Sequence, residues 1–347
     1  MGDTLVALPS FHLIRQRYPE SRIVLLTNSP VDSGVKAAPS HQVLIGSGLV
    51  DDYLEYPHGS GSLLDWVNLL RGIRRMRPSK LIYLMPVRNF RQRVRDAVFF
   101  GLAGFLRPQG MWSGRDGYRH REVVDRSGYY ESEAIRLART LGFSPDSLCA
   151  DLFSLNLGAN EREAIEPILR KLKGSQKFIA ISVGTKAPAN DWGQERWVEL
   201  VSLLSERVGQ RSLVFFGSGD ERARCQSLLD LWAYGGLNLC GQVSPRQSAA
   251  ILEGAVLYVG HDSGPMHLAS SVGIPSVGIF SGRNKPGIWF PYGNEKNVFY
   301  NMVSCNGCGL TVCVEQQMRC IRSIEAHDVA HRILGLLSGK SGHRDAT

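Results

Sequence analysis

No window of the sequence approaches the roughly 18 uninterrupted apolar residues that a membrane-spanning helix requires, although 43% of its 347 residues are hydrophobic. An integral helical membrane protein is therefore excluded. The start, MGDTLVALPS, lacks the basic flank, long apolar stretch and small-residue cleavage site of a secretory leader, so the expected location is the cytoplasm, where thiols stay reduced. The seven cysteines are then not expected to form a disulfide framework. Internal repeats and low-complexity blocks are missing, and the charged fraction of 21% is that of a folded soluble chain, not a disordered one. The nine histidines show no HExxH or comparable spacing, so no open ligand set for a catalytic metal is evident.

What is present is length and an uneven charge. A chain of 347 residues exceeds what one hydrophobic core usually supports, which predicts two packed lobes. The net charge of +8 is concentrated: residues 71–126 hold 14 Lys/Arg against 4 Asp/Glu, and the remainder of the chain is slightly acidic. Such a local excess points to an anionic partner. No helix-turn-helix, zinc finger or other recognition module accompanies it, so an anionic substrate is expected and nucleic acid is not.

After residue 176, short apolar runs rich in β-branched residues (FIAISVGT, SLVFFGS, LYVGHD, SVGIFSG) alternate with helix-like stretches near 195–207, 221–233, 245–254 and 265–272. This rhythm predicts parallel strands joined by crossover helices. The first half repeats it less cleanly, with RIVLLT, VDDYLEY and KLIYLM as strands and helices near 4–17, 62–76, 90–100 and 130–142. SPDSLCADLFSLNLGAN reads as a linker before a helix at 160–172, which predicts an N-terminal domain over 1–170, a second over 171–325, and a C-terminal helix with a frayed tail over 326–347. Two such lobes create a cleft, and in open parallel sheets ligands bind beyond the carboxyl ends of the strands.

Three loops at such strand ends carry candidate chemistry. In LYVGHDSGPMHLASSVG an apolar strand ends at Asp262, and Ser263-Gly264-Pro265 opens a helix whose amides and dipole suit a phosphate or diphosphate. His267 falls in the first turn of that helix, either near the ligand or packed in the core. Gly184-Thr185-Lys186 places a hydroxyl and an ammonium after FIAISV, and Gly217 to Glu221 brings carboxylates that suit ribose hydroxyls or simply cap a helix. Near the start, Asp3 precedes the helix-like TLVALPSFHLIRQRYP, as a helix cap or as a proton acceptor for a substrate hydroxyl. Arg88, Arg91, Arg93 and Arg95, then Arg115, Arg119 and Arg121, make the basic segment, with Arg91 and Arg95 sharing a helical face. Cys305, Cys308, Cys313 and Cys320 are compact enough that four thiolates could enclose zinc, although their spacing is not a standard zinc pattern and packed, reduced thiols are the commoner outcome.

GDTLVALPSFHLIRQRYPESRIVLLT at the start and VGHDSGPMHLASSVGIPSVGIFSG late in the chain resemble glycosyltransferase family nine, the ADP-heptose:lipopolysaccharide heptosyltransferase family, over nearly the whole length. The resemblance implies a GT-B architecture of two Rossmann-like lobes and an inverting, metal-independent transfer of a sugar, most simply heptose from ADP-heptose, onto a lipopolysaccharide core or related surface glycan. It implies Asp3 as the catalytic base, Thr185, Lys186, Glu221, Asp262, Ser263, Gly264, Pro265 and His267 around the donor, and no resident cofactor. It also implies that Arg88, Arg91 and Arg95 face an anionic, lipid-linked acceptor at the inner membrane surface. Well-known members carry a lysine just before the tryptophan where this chain has Asp191-Trp192, and Lys186 is the expected substitute. They also have an apolar strand ahead of Gly-Asp, which predicts that the first strand of the N-terminal sheet is missing from a chain starting at Met1. An epimerase or hydrolase of the same architecture, and a non-catalytic nucleotide binder, are the alternatives.

Overall fold

The computed structural model describes residues 1–28, 39–56, 62–112, 119–172 and 177–339, and the chain divides into two compact units, Asp3–Asn156 and Leu157–Thr347. Both are α/β with parallel strands. Arg115 and the tail from residue 340 onward lie outside the described residues. No helix among the described residues is long and apolar enough to cross a membrane.

In the first unit, α1 (Gly2–Val6) and α2 (Leu8–Arg17) stand where one continuous helix was expected. Pro9 has no N–H with which to extend the ladder of α1, so that helix ends at Ala7 and a second begins with Pro9 in its first turn. β1 (Val24–Asn28) pairs in parallel with β2 (Asp52–Tyr56), with the unanticipated short α3 (Ser40–Leu44) between them. α4 (Leu63–Met76) and α5 (Phe90–Leu102) both start on capping boxes, Ser62 with Asp65 and Asn89 with Gln92, and α6 (Glu133–Thr140) follows.

The strand expected at KLIYLM does not form. Tyr83 N–H donates to Gln109 C=O at 2.8 Å and Gln109 N–H to Leu81 C=O at 2.9 Å, making a single bridge between Ile82 and Gln109. A run of apolar residues without a continuous partner leaves its amides unpaired and does not persist as a ladder. A buried ionic cluster ties this region to α6: Arg136 donates to Glu133 at 2.6 and 2.7 Å and to Met85 C=O at 2.7 Å, and His120 Nε2 meets Glu133 at 2.7 Å.

The division at Asn156/Leu157 lies earlier than the expected 170/171. Of two short 3-10 turns, Pro145–Ser147 and Ala150–Phe153, the second buries Leu152 and Phe153, which anchors the first part of the expected linker to the first unit. The next helix, α7 (Ala159–Leu169), belongs to the second unit: Glu161 is paired with Arg246, and Arg162 with Glu253 at 2.7 Å.

The second unit is built on strands β3 (Phe178–Ser182), β4 (Ser212–Phe215), β5 (Gly236–Asn238), β6 (Ala255–His261), β7 (Ser276–Phe280) and β8 (Val298–Tyr300). Among the described residues these form one parallel sheet in the order β5-β4-β3-β6-β7-β8. β3, β4 and β7 are buried along their whole length, which explains why their sequences are unbroken apolar runs and not alternating ones. The crossovers are α8 (Gln194–Ser205), α9 (Arg222–Leu229), α10 (Pro245–Leu252) and α11 (Gly264–Ser271). Ile179, Ile181, Phe215 and Val259 of the sheet pack with Trp197, Leu200 and Leu204 of α8. The short α12 (Arg319–Arg322) leads to α13 (Ala326–Leu337), whose Val329, Ala330 and Ile333 lie in the same core. The C-terminal helix is thus part of this unit and not a separate segment, because its apolar stripe is what covers that side of the sheet.

Candidate functional site in the second unit

The strand order reverses direction between β3 and β6, and such a switch point leaves an opening at the carboxyl ends of those two strands. The loops after β3 and β6 carry Gly184-Thr185-Lys186 and Asp262-Ser263-Gly264-Pro265. β6 approaches that end through Gly260, where a Cβ would run into the ring of Tyr258 and lie 3.0 Å from Ser182 C=O. Ser263 is extended (φ −154°, ψ 166°) and its side chain caps no amide of α11, while Pro265 occupies the first turn. Asp262 through Pro265 are all half-buried, so the helix start is open to solvent. An uncapped, accessible helix N-terminus presents unsatisfied N–H and the positive end of the dipole to an anion.

Asp262 and His267 are brought together. His267 Nε2 lies 3.9 Å from Asp262 Oδ1, and Asn284 Nδ2 donates to Asp262 Oδ2 at 3.3 Å. The His267 ring is buried, with Trp289 edge-on at 6.5 Å, and burial pushes the imidazole down to about 4. It is therefore a neutral hydrogen-bonding group near pH 7 and not a cation.

The loop after β3 separates its polar side chains. The Thr185 hydroxyl donates to Ala187 C=O at 3.2 Å, whereas Lys186 is exposed. Asp191 is held inward by a two-pronged pair with Arg224, at 2.8 and 2.9 Å, and by Gly193 N–H at 2.9 Å. Burial alone would raise its carboxyl, but the Arg224 guanidinium and the Gly193 amide outweigh it and hold Asp191 below the usual carboxylate range. Trp192 is buried; its indole donates to Ile324 C=O at 2.9 Å and its amide to His261 Nε2 at 3.2 Å. The Asp-Trp pair is therefore a structural staple, and Lys186 is the solvent-facing cation of this loop.

Glu221 is placed in a notch between the ends of β3 and β4. A Cβ on either Gly184 or Gly217 would overlap the Glu221 carboxylate, and Oε2 accepts from Ser218 N–H at 2.9 Å. One carboxylate oxygen thus closes its own turn, while Asp220 is exposed.

Of the remaining candidates, Asp3 and the arginines belong to the first unit. Asp3 is exposed as the second residue of α1, and Met1 takes the cap position expected of Asp3. Arg88 and Arg95 both engage Asp96, at 3.4 and 2.8 Å, and Arg91 is exposed. Cys305, Cys308, Cys313 and Cys320 line one small cavity with Ala189 and Gly282. Among the described residues no group of three or more histidine, cysteine, aspartate or glutamate side chains is placed to hold a metal ion.

Sequence reasoning passed over His261, Asn190, Ser281 and Asn284. His261 is fully buried against Trp197 at 5.2 Å, and burial lowers it to about 4. Ser281, just past β7, donates to Asn190 and so joins the loops after β7 and β3. The available signal was positional: Ser281 and Asn284 follow the strand SVGIF as Asp262 follows LYVGH.

Residues 151–319 match the model of glycosyltransferase family 9 (heptosyltransferase). Lipopolysaccharide heptosyltransferase 1 of Escherichia coli (strain K12) is 30% identical over 107 residues, 31% of this chain and 32% of that relative, so the match spans about a third of the relative's length. A solved family 9 glycosyl transferase of Veillonella parvula aligns over 98% of this chain and 95% of its own, with TM-score 0.72 and 18% identity. The solved E. coli ADP-heptose LPS heptosyltransferase II aligns over 98% and 97%, with TM-score 0.66 and 17% identity. The chain has the GT-B fold of these structures.

Proposed function

Because residues 151–319 match the model of glycosyltransferase family 9, we propose that this protein is an inverting glycosyltransferase that moves a sugar from a nucleoside diphosphate donor, most simply heptose from ADP-heptose, to a lipopolysaccharide core or related anionic surface glycan. The observation that carries the reading is the open, uncapped start of α11 at the strand-order switch, with the Asp262–His267 pair beside it. In the transfer, an acceptor hydroxyl oxygen forms a bond to the anomeric carbon as the bond from that carbon to the phosphate oxygen breaks. The electron pair leaves with the nucleoside diphosphate, and the hydroxyl proton passes to a base.

In this reading the amides at Ser263 and Gly264 and the mobile Lys186 ammonium receive the charge that grows on the departing diphosphate, so the transition state is stabilised without a resident metal. Neutral His267 donates or accepts a hydrogen bond at the sugar or diphosphate. The half-buried Glu221 notch takes the ribose, and Thr185 lines the same loop. Asp3 is the base, and Arg88, Arg91 and Arg95 meet the phosphates of a lipid-linked acceptor at the inner membrane face. A family relative named for ADP-heptose supports the donor assignment.

The test is ADP release from ADP-heptose with and without acceptor, beside calorimetry with ADP. Acceptor-dependent release that Asp3→Ala abolishes while ADP binding persists is expected. Release without acceptor would make the protein an epimerase or hydrolase, and ADP binding without any turnover a nucleotide-binding remnant.

A further inference from the structure

Three hydroxyl groups, from Ser182, Tyr258 and Ser263, come together beneath the start of α11. Tyr258 and Gly260 lie two residues apart on β6 and so face the same side of the sheet. The Tyr258 ring folds along the strand over Gly260, where a Cβ would overlap the phenol oxygen. This carries the hydroxyl toward the carboxyl end of β6. Ser182, the last residue of β3, is the register partner of Gly260 and stands on the same side.

Two of these hydroxyls are buried without a hydrogen bond. Tyr258 is fully buried, and neither its oxygen nor Ser263 Oγ has a partner among the described residues. Ser263 holds the cap position of α11 yet its side chain caps nothing. Burial pushes the phenol up against the Ser182 and Ser263 hydroxyls beside it, which pull it down, so Tyr258 stays protonated and able to donate. An unpaired buried hydroxyl weakens a fold, and phenylalanine would fill the same space without that penalty. The fold gains nothing from the phenol oxygen; a group bound at this end of the strand does.

We infer that Tyr258 is a positioning residue for the donor diphosphate: its O–H donates to Ser263 Oγ, which turns the Ser263 O–H toward a phosphate oxygen at the open start of α11. The direction follows from the chemistry of the groups. An ionised phosphate oxygen only accepts, so Ser263 gives its single proton to the anion, and its lone pairs are left for a donor from the protein side. Tyr258 has one proton to give, and its own oxygen can accept from the Ser182 hydroxyl. Ser182, Tyr258, Ser263 and the anion then make one chain of hydrogen bonds running the same way, in which each bond polarises the next. The inference rests on the proposed donor site and adds to it a side chain that acts without touching the donor.

The experiment compares the full chain with its Tyr258→Phe, Ser263→Ala and double variants, by calorimetry with ADP and with inorganic pyrophosphate and by thermal melting. Tyr258→Phe removes only an unpaired buried oxygen, so it should melt at or above the parent temperature, while binding ADP and pyrophosphate about fivefold to tenfold more weakly, the scale of one hydrogen bond. Ser263→Ala should lose about tenfold, and the double variant no more than Ser263→Ala alone, because the phenol acts only through the serine. Opposite signs in stability and affinity are what a merely structural tyrosine would not give. Parent-like affinity of Tyr258→Phe, additive losses in the double variant, or weaker binding that comes with a lower melting temperature would overturn the inference and leave the donor site standing. A parent chain that binds neither ADP nor pyrophosphate would overturn the donor site itself, and this inference with it.

Discussion

Gly184→Ala places a methyl group where the Glu221 carboxylate packs. Gly184 does not have a left-handed φ, so the backbone itself accepts alanine. The cost must therefore come through Glu221, whose carboxylate has to swing out and give up its 2.9 Å bond from Ser218 N–H. A hydrogen bond to a charged group contributes about 1.5–3 kcal/mol, and that is the expected destabilisation of Gly184→Ala in the parent chain. In a Glu221→Ala background the notch is empty and the bond already gone. There the same substitution should be neutral or stabilising by about 0.4–1 kcal/mol, because alanine restricts the unfolded chain more than glycine does. The sum gives a coupling energy of about 1.5–4 kcal/mol, large for a pair of residues 37 positions apart in sequence. Urea denaturation of the full chain for the four members of the cycle measures it. Equal costs of Gly184→Ala in both backgrounds would refute the notch, and with it the placement of Glu221 at the strand ends.

His261 provides a pH signature: its imidazole falls from an ordinary 6.5 to about 4 on folding. The unfolded chain then binds the extra proton between those values, so the stabilisation is complete above pH 6.5 and is lost as pH falls toward 4, by about 3 kcal/mol at most. His261→Gln, which keeps an acceptor for Trp192 N–H, should remove about half of the slope of stability between pH 6.5 and 4 in denaturant titrations, the rest coming from His267, whose imidazole burial lowers to the same value; an unchanged slope would exclude His261 as a source. Arg136→Met should destabilise by about 3 kcal/mol, since it leaves the buried Glu133 carboxylate with His120 in place of a guanidinium pair, and adding Glu133→Leu should restore part of the loss in the same assay. Lys186→Ala should weaken ADP binding by about tenfold to a hundredfold, the range of one charge-assisted contact, while leaving the melting temperature unchanged because the side chain is exposed; calorimetry that shows parent-like affinity removes Lys186 from the donor site.

The second unit was far more legible than the first. Where strands are covered on both faces, as β3 and β7 are, burial demands an apolar residue at every position and the run stands out from its neighbours. β5 and β8, at the two sheet edges and three residues long each, were missed because edge positions need no such run. KLIYLM shows the opposite failure, an apolar segment whose pairing partner, Gln109, reaches it at one bridge only. At the site, glycine, proline and a carboxylate after a strand were readable as a helix start. What Asp191 does was not, because its partner Arg224 lies 33 residues away and only the fold brings the two together. The inward turn of Glu221 likewise depends on two glycines from the loops after different strands leaving room for it.

Trp192 links three parts of the second unit that are far apart in the chain. Its indole reaches the Ile324 carbonyl, 132 residues on, and its amide reaches the end of β6. The loop that bears Lys186 is in this way moored to the segment that launches α13. A lesion that unseats the terminal helix would therefore slacken the distant Lys186 loop without touching any residue in it, and damage on one face of the sheet would be felt at the carboxyl ends of its strands.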